Sequence, residues 1–158
     1  MTRERFISEV RACQGQLRRF LASLCGDTAL ADDIAQEALV RAYVASGRFI
    51  GNFKAWLFRI AYNCFIDNLR RVRQPAADLD APEALHVAGG EESDASFKHE
   101  ELQRALARIP EKERTAIVLH YFEDLPVKEI ATVMDIPSGT VKYYLSVGRD
   151  HLKQYISL

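Results

Sequence analysis

One stretch constrains the fold more than any other, because every pattern stops there. Gln74–Ser96, QPAADLDAPEALHVAGGEESDAS, holds two prolines, two adjacent glycines and six acidic residues, with no Lys or Arg. On both sides of it, apolar residues recur three and four positions apart, which is the spacing of amphipathic helices. No stretch alternates as a half-buried strand would, and no internal repeat is visible. The expectation is therefore an all-α chain of two small helical domains, residues 1–73 and 97–158. The acidic segment 74–96 would join them as a flexible linker. A flexible chain of its 23 residues spans about 25 Å on average.

Punctuation within each part sharpens the reading. Phe6, Val10, Cys13, Leu17 and Leu24 form one helical stripe, closed by Gly26. Asp27 or Thr28 can cap the next helix, through Leu30, Ile34, Ala38 and Ala42. SGRFIGN reads as a loop, and Asn52 can cap a long third helix that ends near Arg70, Arg71 and Arg73. After the linker, Phe97–Ile109 reads as a helix. Pro110 is suited to the first turn of the next, which carries Ile117, Val118, Tyr121 and Phe122.

Charge is distributed unevenly. Residues 1–73 carry 12 Lys/Arg against 7 Asp/Glu, whereas 97–158 carry 9 of each. A basic first part beside an acidic linker suggests an anionic partner. No apolar run approaches the ~18 residues of a membrane span. Met1–Arg19 lacks the apolar centre of a signal peptide, so the chain reads as cytoplasmic. Cys13, Cys25 and Cys64 form no CxxC pair and read as small apolar residues. The four histidines show no metal-ligand spacing and no paired acid and base. Neither a catalytic role nor a cofactor or metal is expected, and no P-loop or dinucleotide fingerprint appears.

The segment Glu129–Lys153, EIATVMDIPSGTVKYYLSVGRDHLK, sets two periodic runs around a break. Ala131 is small where two helices would cross. Asp135 stands where a left-handed residue, usually Gly, turns the chain. Ile136 and Val141 would pack beneath it. This spacing fits a helix-turn-helix, with an ordinary bend in a bundle as the alternative. Pro137–Thr140 would start the second helix, whose free amides and hydroxyls suit a phosphate.

Two segments of the first part add to this. In ADDIAQEALVRAY, Asp32, Asp33, Gln36 and Glu37 cluster on one side of a helix. In FKAWLFRIAYNCFIDNLRR, Trp56, Ile60 and Cys64 look like a core stripe. Phe58, Tyr62 and Phe65 form a second stripe beside Arg59, Asn63, Arg70 and Arg71. Aromatics interleaved with arginine suit stacking on single-stranded DNA, but packed core is the expected fate of most of these aromatics.

Taken in order, these segments and IPEKERTAIVLHYFEDLPVKEIATVMDIPSGTVK resemble the extracytoplasmic-function (ECF) class of bacterial sigma factors, over nearly the whole chain. The resemblance implies a protein that binds core RNA polymerase and directs promoter-specific initiation. Asp32, Asp33, Gln36 and Glu37 match the face that docks on the β′ clamp helices. Arg59, Tyr62, Asn63, Asp67, Arg70, Arg71 and Arg73 match the helix that meets the −10 element. The loop to about Ala77 would shape a pocket for a flipped base. Ser138, Thr140, Lys142, Tyr143, Ser146 and Arg149 match the helix that meets the −35 element. Ile117–Phe122 would support contact with the β flap, and the acidic linker would thread toward the RNA exit channel. The resemblance also implies an anti-sigma factor as partner.

The last helix departs from the family. Tyr144 and Val147 stand where arginine is common, Tyr143 replaces a usual serine and Gly148 a usual alanine. By propensity alone Gly148 costs up to about 1 kcal/mol relative to Ala. Two alternatives remain at this stage: a different helix-turn-helix regulator, and a sigma-like module that only captures an anti-sigma factor.

Overall fold

A computed structural model of the chain describes residues 1–73 and 94–156, with side chains for 1–72 and 98–156. Every element among these residues is helical. The order is α1 (Arg3–Cys25), α2 (Thr28–Ala45), a short 3-10 turn (Ser46–Arg48), α3 (Phe53–Arg73), α4 (Asp94–Arg108), α5 (Glu111–Ile117), a π-helical turn (Val118–Phe122), α6 (Val127–Met134) and α7 (Ser138–Lys153).

The local signals act where they were read. Gly26 ends α1 in the left-handed region, φ 69°, and its N–H reaches Ala22 O at 2.8 Å. Asp27 Oδ1 accepts from Ala29 N at 2.9 Å and from Leu30 N at 3.2 Å, satisfying two free donors at the start of α2. Asn52 Oδ1 does the same for Ala55 N at 3.0 Å. Two boundaries move. α4 begins at Asp94, so the last three residues expected in the linker are helical. No Pro or Gly follows Gly90 to stop the helix extending backward. Pro110 stands at the cap of α5, one residue before its first turn. The rest of the linker lies outside the described residues.

α1, α2 and α3 pack together around Leu17, Phe20, Leu21, Leu57 and Phe58, all buried. α2 meets them with Ala31, Ala35, Ala38 and Ala42, small residues that let the helices close. The second aromatic stripe of α3 packs as core, as expected for most of its aromatics, and Cys64 of the first stripe is buried with it. Phe58, Tyr62 and Phe65 are buried, while Trp56 and Ile60 are half-buried. Phe58 stacks on Phe20 with ring centroids 5.1 Å apart. The second stripe is therefore core and offers no open stacking platform, because α1 covers the face that periodicity alone left unassigned.

α5, α6 and α7 pack around Ala116, Val118, Ile130, Val133 and Val141. The two groups of helices also meet: α3 packs on α6, and α1 on the π-helical turn. A continuous apolar cluster runs through both.

Candidate nucleic-acid and polymerase interface

α2 turns its alanines inward and its polar residues outward. Asp32, Asp33 and Gln36 are exposed and Glu37 is partly so. Arg18 Nη1 lies 3.9 Å from Asp32 Oδ1. Arg41 pairs with Glu37 one turn back and reaches Asp67 Oδ2 on α3 at 3.3 Å. Arg41 thus ties the acidic face of α2 to the expected −10 helix, a link that sequence reading missed. Farther along the same face, Val40 and Val44 are exposed, 64% and 77%. The spacing Asp33, Gln36/Glu37, Val40, Val44 carries that signal in retrospect.

On α3, Arg59, Asn63, Asp67 and Arg70 follow one another at helical spacing. Asn63, Arg70 and Arg71 are exposed, while Arg59 and Asp67 are half-buried. Only the backbone of Arg73 is described. Tyr62 is placed differently from the rest of this set. It is 3% exposed, and its hydroxyl donates to Glu111 Oε2 at 2.6 Å and accepts from Lys112 Nζ at 3.0 Å. Thr115 Oγ1 donates to the same Glu111 oxygen at 2.9 Å. Burial, and then the neighbouring carboxylate, pushes the Tyr62 phenol above its usual range, so it stays a donor. As the helices are arranged here, Tyr62 has no face free for DNA.

The helix-turn-helix is formed as expected. Asp135 is left-handed, φ 58° and ψ 49°, and both its N–H and that of Ile136 return to Ala131 O. α7 buries Val141, Leu145, Gly148 and Leu152, which leaves Ser138, Lys142, Tyr143, Ser146 and Arg149 exposed and Thr140 half-buried. Arg149 Nη1 donates to the Tyr121 hydroxyl at 2.9 Å. Tyr121 belongs to the π-helical turn, where Glu123 N bonds Val118 O at 3.1 Å. Such turns often sit at functional sites. Within Ile117–Phe122, Ile117, Val118 and Leu119 are buried and Tyr121 is exposed.

Among the described residues no group of His, Cys, Asp or Glu could hold a metal ion, and no helix is long and apolar enough to cross a membrane. The three cysteines are free, and burial pushes each thiol up, that of Cys25 to about 12.

An exposed acidic face, an arginine-bearing helix and a helix-turn-helix with its second helix exposed together have the features of a DNA-binding transcription protein. Residues 10–74 match the family described as Sigma-70 region 2, and residues 99–152 the family described as Sigma-70, region 4. The chain is 37% identical over 148 residues to the ECF RNA polymerase sigma factor SigW of Bacillus subtilis (strain 168), covering 84% of this chain and 79% of that protein. It is 30% identical over 151 residues to the ECF RNA polymerase sigma factor RpoE of Cereibacter sphaeroides, covering 90% and 81%. Its fold matches the sigma factor RpoE of Bartonella quintana, solved in complex with the anti-sigma factor NepR, at TM-score 0.81 and 26% identity over 96% of both chains. The chain belongs to the ECF RNA polymerase sigma factors, transcription initiation factors rather than enzymes.

Proposed function

We propose that this sigma factor docks on the β′ clamp helices of core polymerase through Asp32, Asp33, Gln36 and Glu37. In this reading Arg59, Asn63, Asp67, Arg70, Arg71 and Arg73 engage the −10 element, joined by Tyr62 once that side chain is uncovered. Ser138, Thr140, Lys142, Tyr143, Ser146 and Arg149 engage the −35 element. The observation that carries the reading is the segregation on α7, where Lys142, Tyr143, Ser146 and Arg149 are exposed opposite the buried Val141, Leu145 and Leu152. Lys142 and Arg149 supply charge for phosphates or guanine, and Tyr143 supplies apolar contact. The protein acts in the cytoplasm, where its DNA and polymerase are. An anti-sigma factor captures it, by analogy with the Bartonella quintana complex.

Run-off transcription with purified bacterial core polymerase and a pool of promoter fragments tests this. Initiation at discrete sites that depends on this chain is expected. Polymerase binding with no initiation would refute the promoter-directing role and leave a sigma-like capture module.

A further inference from the structure

α7 holds a single arginine, Arg149, since Tyr144 and Val147 stand where the family commonly has others. Lys142, Ser146 and Arg149 are spaced four and three apart and share the exposed face of the helix. A recognition helix meets base edges with its N-terminal residues. Arg149 lies about 17 Å farther along the axis than Ser138, at about 1.5 Å per residue. That exceeds the major-groove width of about 12 Å. The guanidinium therefore reaches the level of the sugar-phosphate backbone, past the bases that Lys142, Tyr143 and Ser146 face.

Arg149 is held there from outside its own helix. Its Nη1 donates to the Tyr121 hydroxyl at 2.9 Å. The Tyr121 ring meets the His120 ring edge-on, centroids 4.8 Å apart at 81°, and His120 Nδ1 lies 3.2 Å from Leu125 O. Both rings belong to the π-helical turn Val118–Phe122. The Tyr121–Arg149 pair is open to solvent, with Tyr121 49% exposed and Arg149 exposed. Its donors are only partly used. The phenolic oxygen accepts from Arg149, which leaves its own proton to donate elsewhere, and the guanidinium has five N–H groups in all. Among the described residues no carboxylate forms an ion pair with Arg149. Two adjacent donors, one of them cationic and neither neutralised, suit the paired oxygens of a phosphodiester.

We propose that Tyr121 and Arg149 together clamp one backbone phosphate of the −35 element, the Tyr121 O–H and an Arg149 N–H donating to its two non-bridging oxygens. Tyr121 is thereby a DNA-contacting residue that lies outside the recognition helix. A lone lysine holds a phosphate as a point charge, whereas a grip from two elements also fixes direction. The clamp sets the depth and register of α7 in the groove, in a helix that lacks the family's other arginines. This inference deepens the −35 reading above and rests on it.

The test uses holoenzyme made from bacterial core polymerase and the full chain at saturating concentration, so that polymerase affinity does not enter. Affinity is measured for a promoter fragment recovered in the run-off experiment. It is measured again for a series of that fragment carrying one neutral methylphosphonate at each −35 phosphate in turn. Tyr121→Phe removes only the exposed hydroxyl. It is expected to bind the unmodified fragment about tenfold more weakly, the size of one hydrogen bond to a charged group. Arg149→Ala should lower the salt slope of binding by about 1, whereas Tyr121→Phe removes no charge and should keep the wild-type slope. One methylphosphonate should weaken wild type and erase most of the difference between wild type and Tyr121→Phe, and the same one should do so for Arg149→Ala. A Tyr121→Phe holoenzyme that binds unmodified DNA as tightly as wild type overturns the clamp. So does a loss of equal size on every fragment of the series, which is what a merely structural role of Tyr121 would give. Failure of the −35 reading looks different, and the clamp falls with it: Lys142→Ala and Ser146→Ala would then leave the base preference at the −35 element unchanged.

Discussion

Gly148 offers a test in which two physical terms oppose each other. Helix propensity says that Gly148→Ala stabilises α7 by about 1 kcal/mol. The structure says otherwise, because α7 lies on α5 at this residue. A Cβ added there would stand 2.6 Å from Ile117 Cδ1, 3.2 Å from Glu113 Cβ and 3.4 Å from Ile117 Cγ1. The Cδ1 methyl is the end of a side chain and could swing, but Ile117 is itself 3% exposed and hemmed in by core. Glu113 Cβ, fixed to the backbone of α5, has no such freedom. Inserting a methyl into a packed core costs about 1–3 kcal/mol. With about 2 kcal/mol against about 1, Gly148→Ala should be destabilising by about 1 kcal/mol net. Ile117→Val removes the nearest clashing atom and alone costs about 1 kcal/mol. The double variant should be less destabilised than the sum of the two, with a coupling of about 1 kcal/mol. Urea unfolding followed by circular dichroism, with slopes compared across the four proteins, measures this. If Gly148→Ala raises stability by about 1 kcal/mol and couples to nothing, the close-approach argument is wrong.

Three further outcomes are expected. Asp33→Arg leaves the fold intact, since the side chain is exposed, and weakens core polymerase binding at least tenfold, about 1.4 kcal/mol; a folded variant with unchanged affinity in a pull-down or titration contradicts the docking face. Arg70→Ala with Arg71→Ala impairs promoter opening more than polymerase binding, read as lost permanganate reactivity of unpaired thymines, and lowers the salt slope of DNA binding by about 2; normal opening counts against the −10 assignment. Glu123 is 4% exposed and its Oε1 has no hydrogen-bond partner, so burial raises its carboxyl above the usual value, with Arg19 and Lys54 opposing the shift. A carboxyl raised on folding weakens stability as pH rises from its unfolded to its folded pKa, and that loss persists above the folded pKa. Glu123→Gln should therefore raise the melting temperature at pH 7 and flatten the pH dependence above pH ~4.3, the ordinary Glu value; a melting temperature that falls at pH 7 shows the Arg19 pair to be the larger effect.

Much of this protein is determined locally and was legible in the chain itself. Gly26, Asp27 and Asn52 start or stop helices by bonding backbone groups within four residues. Asp135 turns the helix-turn-helix with its own φ and ψ. The outward faces of α2 and α7 follow from periodicity, since each of these helices has a run of small or apolar residues that must be buried. Other features depend on what packs against what. Periodicity puts Phe58, Tyr62 and Phe65 on one side of α3, but only the placement of α1 and of Glu111 decides that this side is covered. Gly148 looks like a weak point in a helix until α5 is seen lying on it. Arg41 joins α2 to α3 through Asp67, 26 residues away in sequence. Helix caps and faces are short-range and written in neighbouring residues. Burial and occlusion are relations between helices distant in sequence, so they appear only when the tertiary structure brings those helices together.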